Sequence, residues 1–321
     1  MDYTLDNRDL KIIDTIADNG RLPYSKIARL TRISKDRVRE RINNLKKEKY
    51  LLSYIPLINY NSLGYELYTV YIVFKNKLKK EKEYINKIKN HSKIISLTAV
   101  PSVYDFELQI LAKNKSEIDR TIKELKLERY GKIAQKVVLK PDVLHIYSMG
   151  INEKSKKNID STNKYSKKIK IDELDLNILK ILSNNSRERI IDIAEKVNVH
   201  FDVVRYRVKK LLEHKIILGF YARTNKHRFG LNTYVLLIKL KNKMSQYQFE
   251  KLKERKNIYY VKTVSGKWSL IINCYCKDNT DLVETIEYIK KSFENNIDKQ
   301  DILILLERYF FSPIPKNFKI D

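Results

Sequence analysis

The stretch KDRVRERINNLKK, residues 35–47, concentrates hydrogen-bonding side chains at a spacing that gathers them on one side of a helix. At about 100° per residue, turning Val38, Ile42 and Leu45 inward turns Asp36, Arg39, Glu40, Asn43 and Lys47 outward, with Lys35 and Arg37 at the flanks. Arginine pairs bidentately with guanine, asparagine and glutamate offer hydrogen bonds to base edges, and lysine neutralises phosphate. A second stretch, FDVVRYRVKKLLE at 201–213, places Asp202, Arg205, Tyr206, Lys209 and Glu213 in the same positions, with Phe201 and Val203 at its flanks. Here apolar contact, such as with a thymine methyl, replaces part of the hydrogen bonding. Both faces suit the reading of double-stranded DNA; an ordinary solvated helix surface is the competing account. Arg41 and Arg207 lie beside the apolar stripe on the same wheel, so Asp9 and Asp175 compete with DNA as their partners.

Other chemistry is thinly represented. The five histidines, His91, His145, His200, His214 and His227, are scattered, and none pairs with another at metal or acid–base spacing. Cys274 and Cys276 share one face of an expected strand, and two thiols are too few for a four-ligand zinc site. A Gly-rich phosphate loop, an HExxH pattern and a nucleophile context are absent, so neither catalytic residues nor metal nor cofactor is expected. The formal net charge of +26 attracts polyanions, although codon usage in an AT-rich genome also enriches lysine. The chain shows no basic amphipathic helix with a wide apolar face and no run of about eighteen apolar residues, which favours nucleic acid over membrane. Its start, MDYTLDNRDLKIID, is unlike a secretory signal, and a cytoplasmic, nucleoid-associated protein is expected.

The elements that must position these faces occur twice. Leu5 to Lys77 aligns without a gap on Ile171 to Lys243, with roughly twenty identities over about seventy positions, a duplication signal. Asp6 and Asp9 recur as Asp172 and Asp175, Val38 and Arg39 as Val204 and Arg205, and Asn59, Gly64 and Tyr68 as Asn225, Gly230 and Tyr234. In each copy a helix begins at the acidic pair and carries apolar residues at helical spacing, such as Leu10, Ile13, Ile16 and Ala17. A short helix near Tyr24 to Leu30 follows, then a turn at Ile33-Ser34, with Ser34 positioned to cap a third helix running through Lys47. This is a helix-turn-helix whose third helix would enter a major groove.

Beyond it the apolar period becomes strand-like. LYTVYIVF, from Leu67, reads as a strand, followed by a helix at 81–90, strands at 94–99 and 106–111, a helix at 116–125 and a strand at 133–139. The second copy repeats this with strands at 234–240, 259–264 and 269–275, helices at 246–255 and 282–293, and a last strand at 302–309. The order β-α-β-β-α-β is ferredoxin-like. The fold class is therefore α+β: two winged or helix-turn-helix domains, each followed by a ferredoxin-like domain. Boundaries are expected at 1–60, 61–150, 171–226 and 227–321, with a polar, flexible linker at 151–170. Such a linker would let the two α/β domains of one chain pair as an intramolecular pseudo-dimer, alone or as a dimer of such monomers.

The ordered combination of LDNRDLKIIDTIADNGRLPYSKIARLTRISKDRVRERINNLKKEKYLLSYIPLINYNSLG and IDELDLNILKILSNNSRERIIDIAEKVNVHFDVVRYRVKKLLEHKIILGFYARTNKHRFG with the two β-α-β-β-α-β halves resembles two fused members of the Lrp/AsnC, or feast/famine, family. The resemblance implies DNA binding, pairing through the α/β domains and an amino-acid effector bound between them. The family's effector turn has a Gly-x-Tyr/Trp-Asp-like form. The first copy reads Ser102-Val103-Tyr104-Asp105, without the glycine; the second reads Gly266-Lys267-Trp268-Ser269, without the aspartate. Either Tyr104, Asp105, Gly266 and Trp268 build one composite site, or effector sensing has decayed. A hairpin glycine is explained by turn geometry alone, which favours decay. Siroheme decarboxylases also resemble this family and pair two such units, so an enzyme is the rival reading; a protein that coats DNA by charge alone is another.

Overall fold

The structure is a computed structural model that describes residues 3–17, 19–76, 78–146, 159–160 and 169–320. The chain divides into two units, and each unit takes a part from both sequence copies: residues 1–59, 146–159 and 170–231 form one, and residues 60–145, 160–169 and 232–321 the other. No helix among the described residues is long and apolar enough to cross a membrane.

The first unit holds both helix-turn-helix segments. In the first copy these are α1 (Asn7–Ala17), α2 (Tyr24–Thr31) and α3 (Lys35–Lys47), followed by strand β1 (Leu51–Ile58). Ile12, Ile13, Ile16, Ile27, Val38, Ile42 and Leu45 form their shared core, the stripe that the sequence spacing demands. Asp6 and Asp9 start α1 reciprocally, each accepting from the other's backbone N–H, at 3.2 and 3.0 Å. The second copy repeats the set as α6 (Glu173–Asn184), α7 (Ile190–Val197), α8 (Phe201–Glu213) and β7 (Ile217–Thr224).

Strands β1 and β7, which no local pattern announces, pair antiparallel with each other, Leu51 opposite Thr224 and Ile58 opposite Ile217. Antiparallel pairing of equivalent strands relates the copies by a local pseudo-twofold axis, and the flanking contacts are reciprocal. The Gly20 N–H donates to Phe220 O at 2.7 Å, and the equivalent Ser186 N–H donates to Tyr54 O at 2.9 Å. Asn59 N–H donates to Ile216 O at 2.9 Å and Asn225 N–H to Tyr50 O at 3.0 Å. Arg21 donates to Ser186 O and Glu188 O and lies over the Phe220 ring; its counterpart Arg187 donates to Gly20 O and lies over Tyr54. Desolvation, and then the approach of Arg187, lowers the Arg21 pKa from its usual value.

The second unit holds the α/β segments. The first copy supplies β2 (Glu66–Phe74), α4 (Glu81–Lys89), β3 (Ile94–Ala99), β4 (Phe106–Ala112), α5 (Lys115–Glu124) and β5 (Ile133–Ile146). Its counterparts in the second copy are β8 (Asn232–Leu240), α9 (Gln246–Glu254), β9 (Ile258–Ser265), β10 (Leu270–Cys276), α10 (Asn279–Phe293) and β11 (Ile297–Leu305), with β12 (Arg308–Phe311) added. The strand order is β11-β8-β10-β9-β5-β2-β4-β3-β12. Alternation along β2 explains the layering: Val70, Ile72 and Phe74 pack with Tyr84 and Ile88 of α4 and Ile118 and Ile122 of α5, while Tyr71 packs with Val235, Leu237, Trp268 and Leu303 of the other copy. Each copy's half of this sheet is thus buried on both faces, which is why β2 and β8 read as nearly continuous apolar runs.

Two expectations shift. The strand expected at 133–139 continues past Pro141 to Ile146, and its far end meets β9, where Val143 N–H donates to Thr263 Oγ1 at 3.0 Å. The strand expected at 302–309 is broken: β11 stays on β8, whereas β12 crosses to β3, pairing Arg308 with Thr98. After β12, the tail seats on the first copy: Tyr60 Oη donates to Pro313 O at 2.8 Å, and the Phe318 ring meets Tyr65 edge-on. Most of the expected linker at 151–170 lies outside the described residues; within it, Ile159–Asp160 form β6 against β5.

Candidate nucleic-acid interface

The turns before α3 and α8 are built alike. Arg32 (φ 58°) and Asn198 (φ 54°) end α2 and α7 in the left-handed conformation, and their N–H groups return to Ala28 O and Ala194 O. Ser34 occupies the cap position of α3, but its side chain makes no capping hydrogen bond, contrary to expectation. At the equivalent place His200 does cap α8: its Nδ1 accepts from the Asp202 N–H at 3.4 Å.

On α3, Val38, Ile42 and Leu45 are buried, while Ser34, Lys35, Asp36, Arg37, Arg39, Glu40, Asn43 and Lys47 are exposed. Arg37 and Glu40 form a loose pair at 3.5 Å with both side chains largely in solvent. On α8, Val204, Val208 and Leu211 are buried, and Asp202, Arg205, Tyr206 and Lys209 are exposed. Phe201, Val203 and Tyr206 are 39, 38 and 54 % exposed, three large side chains left in water along the first turns of α8. Arg205 pairs with Asp202 and lies 5.4 Å over the Phe201 ring, and Lys210 lies 4.8 Å over Tyr206. Lys209 pairs with Glu213 at 3.6 Å.

Arg41 and Arg207 are occupied elsewhere. Arg41 meets Asp6 and Asp9, both at 2.9 Å, and the Asp9 side chain is almost wholly buried. Arg207 meets Asp172 at 2.6 Å and Asp175 at 3.2 Å. The Asp175 N–H, and then Arg207, hold the Asp172 carboxyl below the usual carboxylate range. These arginines fasten the third helix to the first in each copy.

In the α/β unit, the two half-motifs of the effector turn come together in part. Trp268 Nε1 donates to Tyr104 Oη at 3.3 Å, both side chains are 1 % exposed, and Tyr104 stacks on Tyr71 at 4.8 Å. Gly266 sits at φ +138°, and a Cβ there would lie 2.9 Å from Val138 O of the other copy. Asp105 points away from this cluster: its Oδ2 accepts the Phe74 N–H at 2.6 Å.

A second polar cluster, which no motif in the sequence marks, lies between the two halves of the sheet. Lys262, 2 % exposed, donates to Thr69 Oγ1 at 3.0 Å and Leu67 O at 3.3 Å, and burial lowers its pKa to about 8. Nearby, Tyr71 Oη donates to the buried Glu107 at 2.8 Å. The sequence signal was there: Lys262 interrupts the apolar face of the run IYYVKTVS.

Two family models match the chain, an AsnC-type helix-turn-helix domain over residues 171–212 and a winged helix-turn-helix DNA-binding model over residues 5–51. The transcriptional regulator Ptr1 of Methanocaldococcus jannaschii is 31% identical over 109 residues, which span 34% of this chain and 74% of that protein. An uncharacterized helix-turn-helix regulator of Pyrococcus horikoshii is 30% identical over 129 residues, 40% of this chain and 78% of its own. The crystal structure of the siroheme decarboxylase NirDL superposes on 96% of this chain and 94% of its own with a TM-score of 0.65 at 13% identity, a likeness of fold. With one matching model in each copy and relatives at this identity over most of their length, the chain belongs to the Lrp/AsnC family of helix-turn-helix transcriptional regulators.

Proposed function

We propose that this protein regulates transcription by binding double-stranded DNA through α3 and α8, with the pair of α/β domains holding the two copies in one chain. The observation that carries the reading is the pseudo-twofold pairing of β1 with β7, which makes an outward, cation-bearing face on α3 and on α8 part of one unit. Lys35, Asp36, Arg37, Arg39 and Asn43 serve in the first reader, Arg205, Tyr206 and Lys209 in the second, where Asp202 orients Arg205. Phosphate contacts release counterions, so the logarithm of affinity falls with the logarithm of salt in proportion to their number. Lys35→Ala is expected to weaken all sequences about equally and to reduce that slope by roughly one contact. Affinity that is flat against salt would sink the reading, and equal affinity for every duplex at fixed salt would leave charge-driven coating of DNA instead.

The effector motif reads as decayed in this chain. Tyr104 and Trp268 fill each other's space, and Asp105 is engaged by backbone, which supports packing as their present role. The full-length likeness to NirDL favours one second reading, a tetrapyrrole-binding enzyme. A Soret band shifted on adding an iron tetrapyrrole to the purified protein would support it, and an unchanged spectrum would count against it.

A further inference from the structure

We infer that the protein selects a bipartite DNA site whose two half-sites run in inverted orientation yet differ in sequence, one containing a G·C pair read by arginine and the other thymine methyls read by apolar side chains. The inference rests on the DNA-binding reading above and specifies the class of site. Orientation follows from backbone geometry. The β1–β7 ladder and the reciprocal contacts of Gly20 with Phe220 and Ser186 with Tyr54 relate α3 to α8 by a local twofold, the symmetry with which a dimeric reader meets a palindrome. Content follows from side chains, and these break the symmetry.

Asp36 matches Asp202 and Arg39 matches Arg205, which allows one shared base step. The remaining outward positions diverge: Lys35 against Phe201, Arg37 against Val203, Glu40 against Tyr206 and Asn43 against Lys209. The divergent positions are exposed on both helices, so core packing does not dictate their identity. On α3, Arg37 stands 72 % exposed with Glu40 as a loose partner, able to turn its planar donor fork to guanine O6 and N7. On α8 the corresponding ground is apolar. Phe201 packs against the His200 ring at 4.4 Å and under the Arg205 guanidinium at 5.4 Å, which orders it while leaving it 39 % exposed, and Val203 in the same first turn is 38 % exposed. Exposed apolar groups at the start of a groove-entering helix have a matching surface in the major groove, the thymine C5-methyl. Arg205 also differs from Arg39 in being tied to Asp202, so even the shared arginine is presented from a different setting.

The test is selection from a randomised duplex library with the full chain at physiological salt, repeated with two variants. The first is Arg37→Val. The second carries Phe201→Lys, Val203→Arg, Tyr206→Glu and Lys209→Asn together, giving α8 the divergent side chains of α3. Equal melting temperatures establish that these exposed changes leave the fold intact. Wild type is expected to enrich unlike inverted half-sites; Arg37→Val to lose about ten- to a hundredfold preference at one base pair of one half only; and the fourfold variant to convert the selected site toward a palindrome. Four results overturn the inference. A palindrome selected by wild type, or equal loss in both halves with Arg37→Val, removes the asymmetry while leaving DNA binding in place. Retention of DNA without enrichment removes sequence selection, and no retention at any salt removes the DNA-binding reading itself.

Discussion

Lys262 carries its amine into the space between the two halves of the α/β sheet, and the consequence is measurable as a slope of stability against pH. Its pKa falls from 10.5 to about 8 because burial strips the ammonium of water, with Glu107 recovering part of the loss. A depressed pKa on a base means that the unfolded chain binds more protons than the native one between those two values. Stability is therefore flat below about pH 8 and rises with pH from there toward 10.5, the full span being worth about 3 kcal/mol and the part between pH 7 and 9 about 1.5 kcal/mol. Lys262→Met removes this group. Its effect at pH 7 combines relief of the desolvation with loss of the bonds to Thr69 and Leu67, but the difference between variant and wild type must change by about 1.5 kcal/mol from pH 7 to 9, in the direction that favours wild type. The assay is urea unfolding of the full chain followed by fluorescence of Trp268, the one tryptophan in the sequence, which lies in the same inter-sheet core as Tyr71. The buried tyrosines Tyr71 and Tyr260, whose phenols are pushed up by burial, lose stability as pH rises further, but that loss is common to both proteins and cancels in the difference. Stability curves that stay parallel from pH 7 to 9 would refute the reasoning.

Gly266→Ala is expected to destabilise the same Trp268-reported transition by about 1–3 kcal/mol, because φ +138° is strained for any residue with a Cβ and the methyl would stand 2.9 Å from the Val138 carbonyl oxygen; a change under about 0.5 kcal/mol, read from urea midpoints, would show that the hairpin yields. Arg41→Ala leaves the buried Asp9 with its charge unpaired and is expected to cost the helix-turn-helix unit about 2–4 kcal/mol by circular dichroism. Arg37→Ala, on the same helix but in solvent, is expected to change stability by less than about 0.5 kcal/mol, and equal effects of the two would contradict the assigned roles.

The sequence was most legible where structure is local. The 3.6-residue spacing of Val38, Ile42 and Leu45 fixes which side of α3 is buried, and all three have no solvent exposure. The run from Leu67 to Phe74 reads as a strand because its β-branched and aromatic side chains suit a surface buried on both faces. What escaped depends on the other copy. Strand β1 carries Pro56 and has modest alternation of its own; its ladder partner is β7, more than 150 residues later in the chain. Nothing near Leu305 announces that the next strand will leave β8 and cross to β3, since Leu306 and Glu307 carry no Gly or Pro. The outward faces of α3 and α8 followed from helical geometry, whereas the burial of Lys262 beside Thr69 required knowing which sheet lies opposite. Ser34 failed to cap despite its favourable type, a reminder that residue preference at a cap is statistical and the rotamer decides.

The exchange of strands between copies also bears on how the chain is made. Edges β3 and β5 of the first α/β half meet β12 and β9, and the inner face around Tyr71 is covered by Val235, Leu237, Trp268 and Leu303, all of which belong to the second copy. During synthesis the first copy leaves the ribosome without them, and at about 5–20 residues per second the wait is roughly 10 to 30 s. For that interval two unpaired strand edges and an apolar sheet face stand open, the features that most readily recruit a neighbouring nascent chain. Two first copies on one polysome would offer each other much the same surfaces, but each would bring a Glu107 to the interior and neither a Lys262. The second half of the same chain, joined covalently to the first, reaches those surfaces at a higher effective concentration than a half from another chain, which favours closure within one molecule over capture by a neighbour.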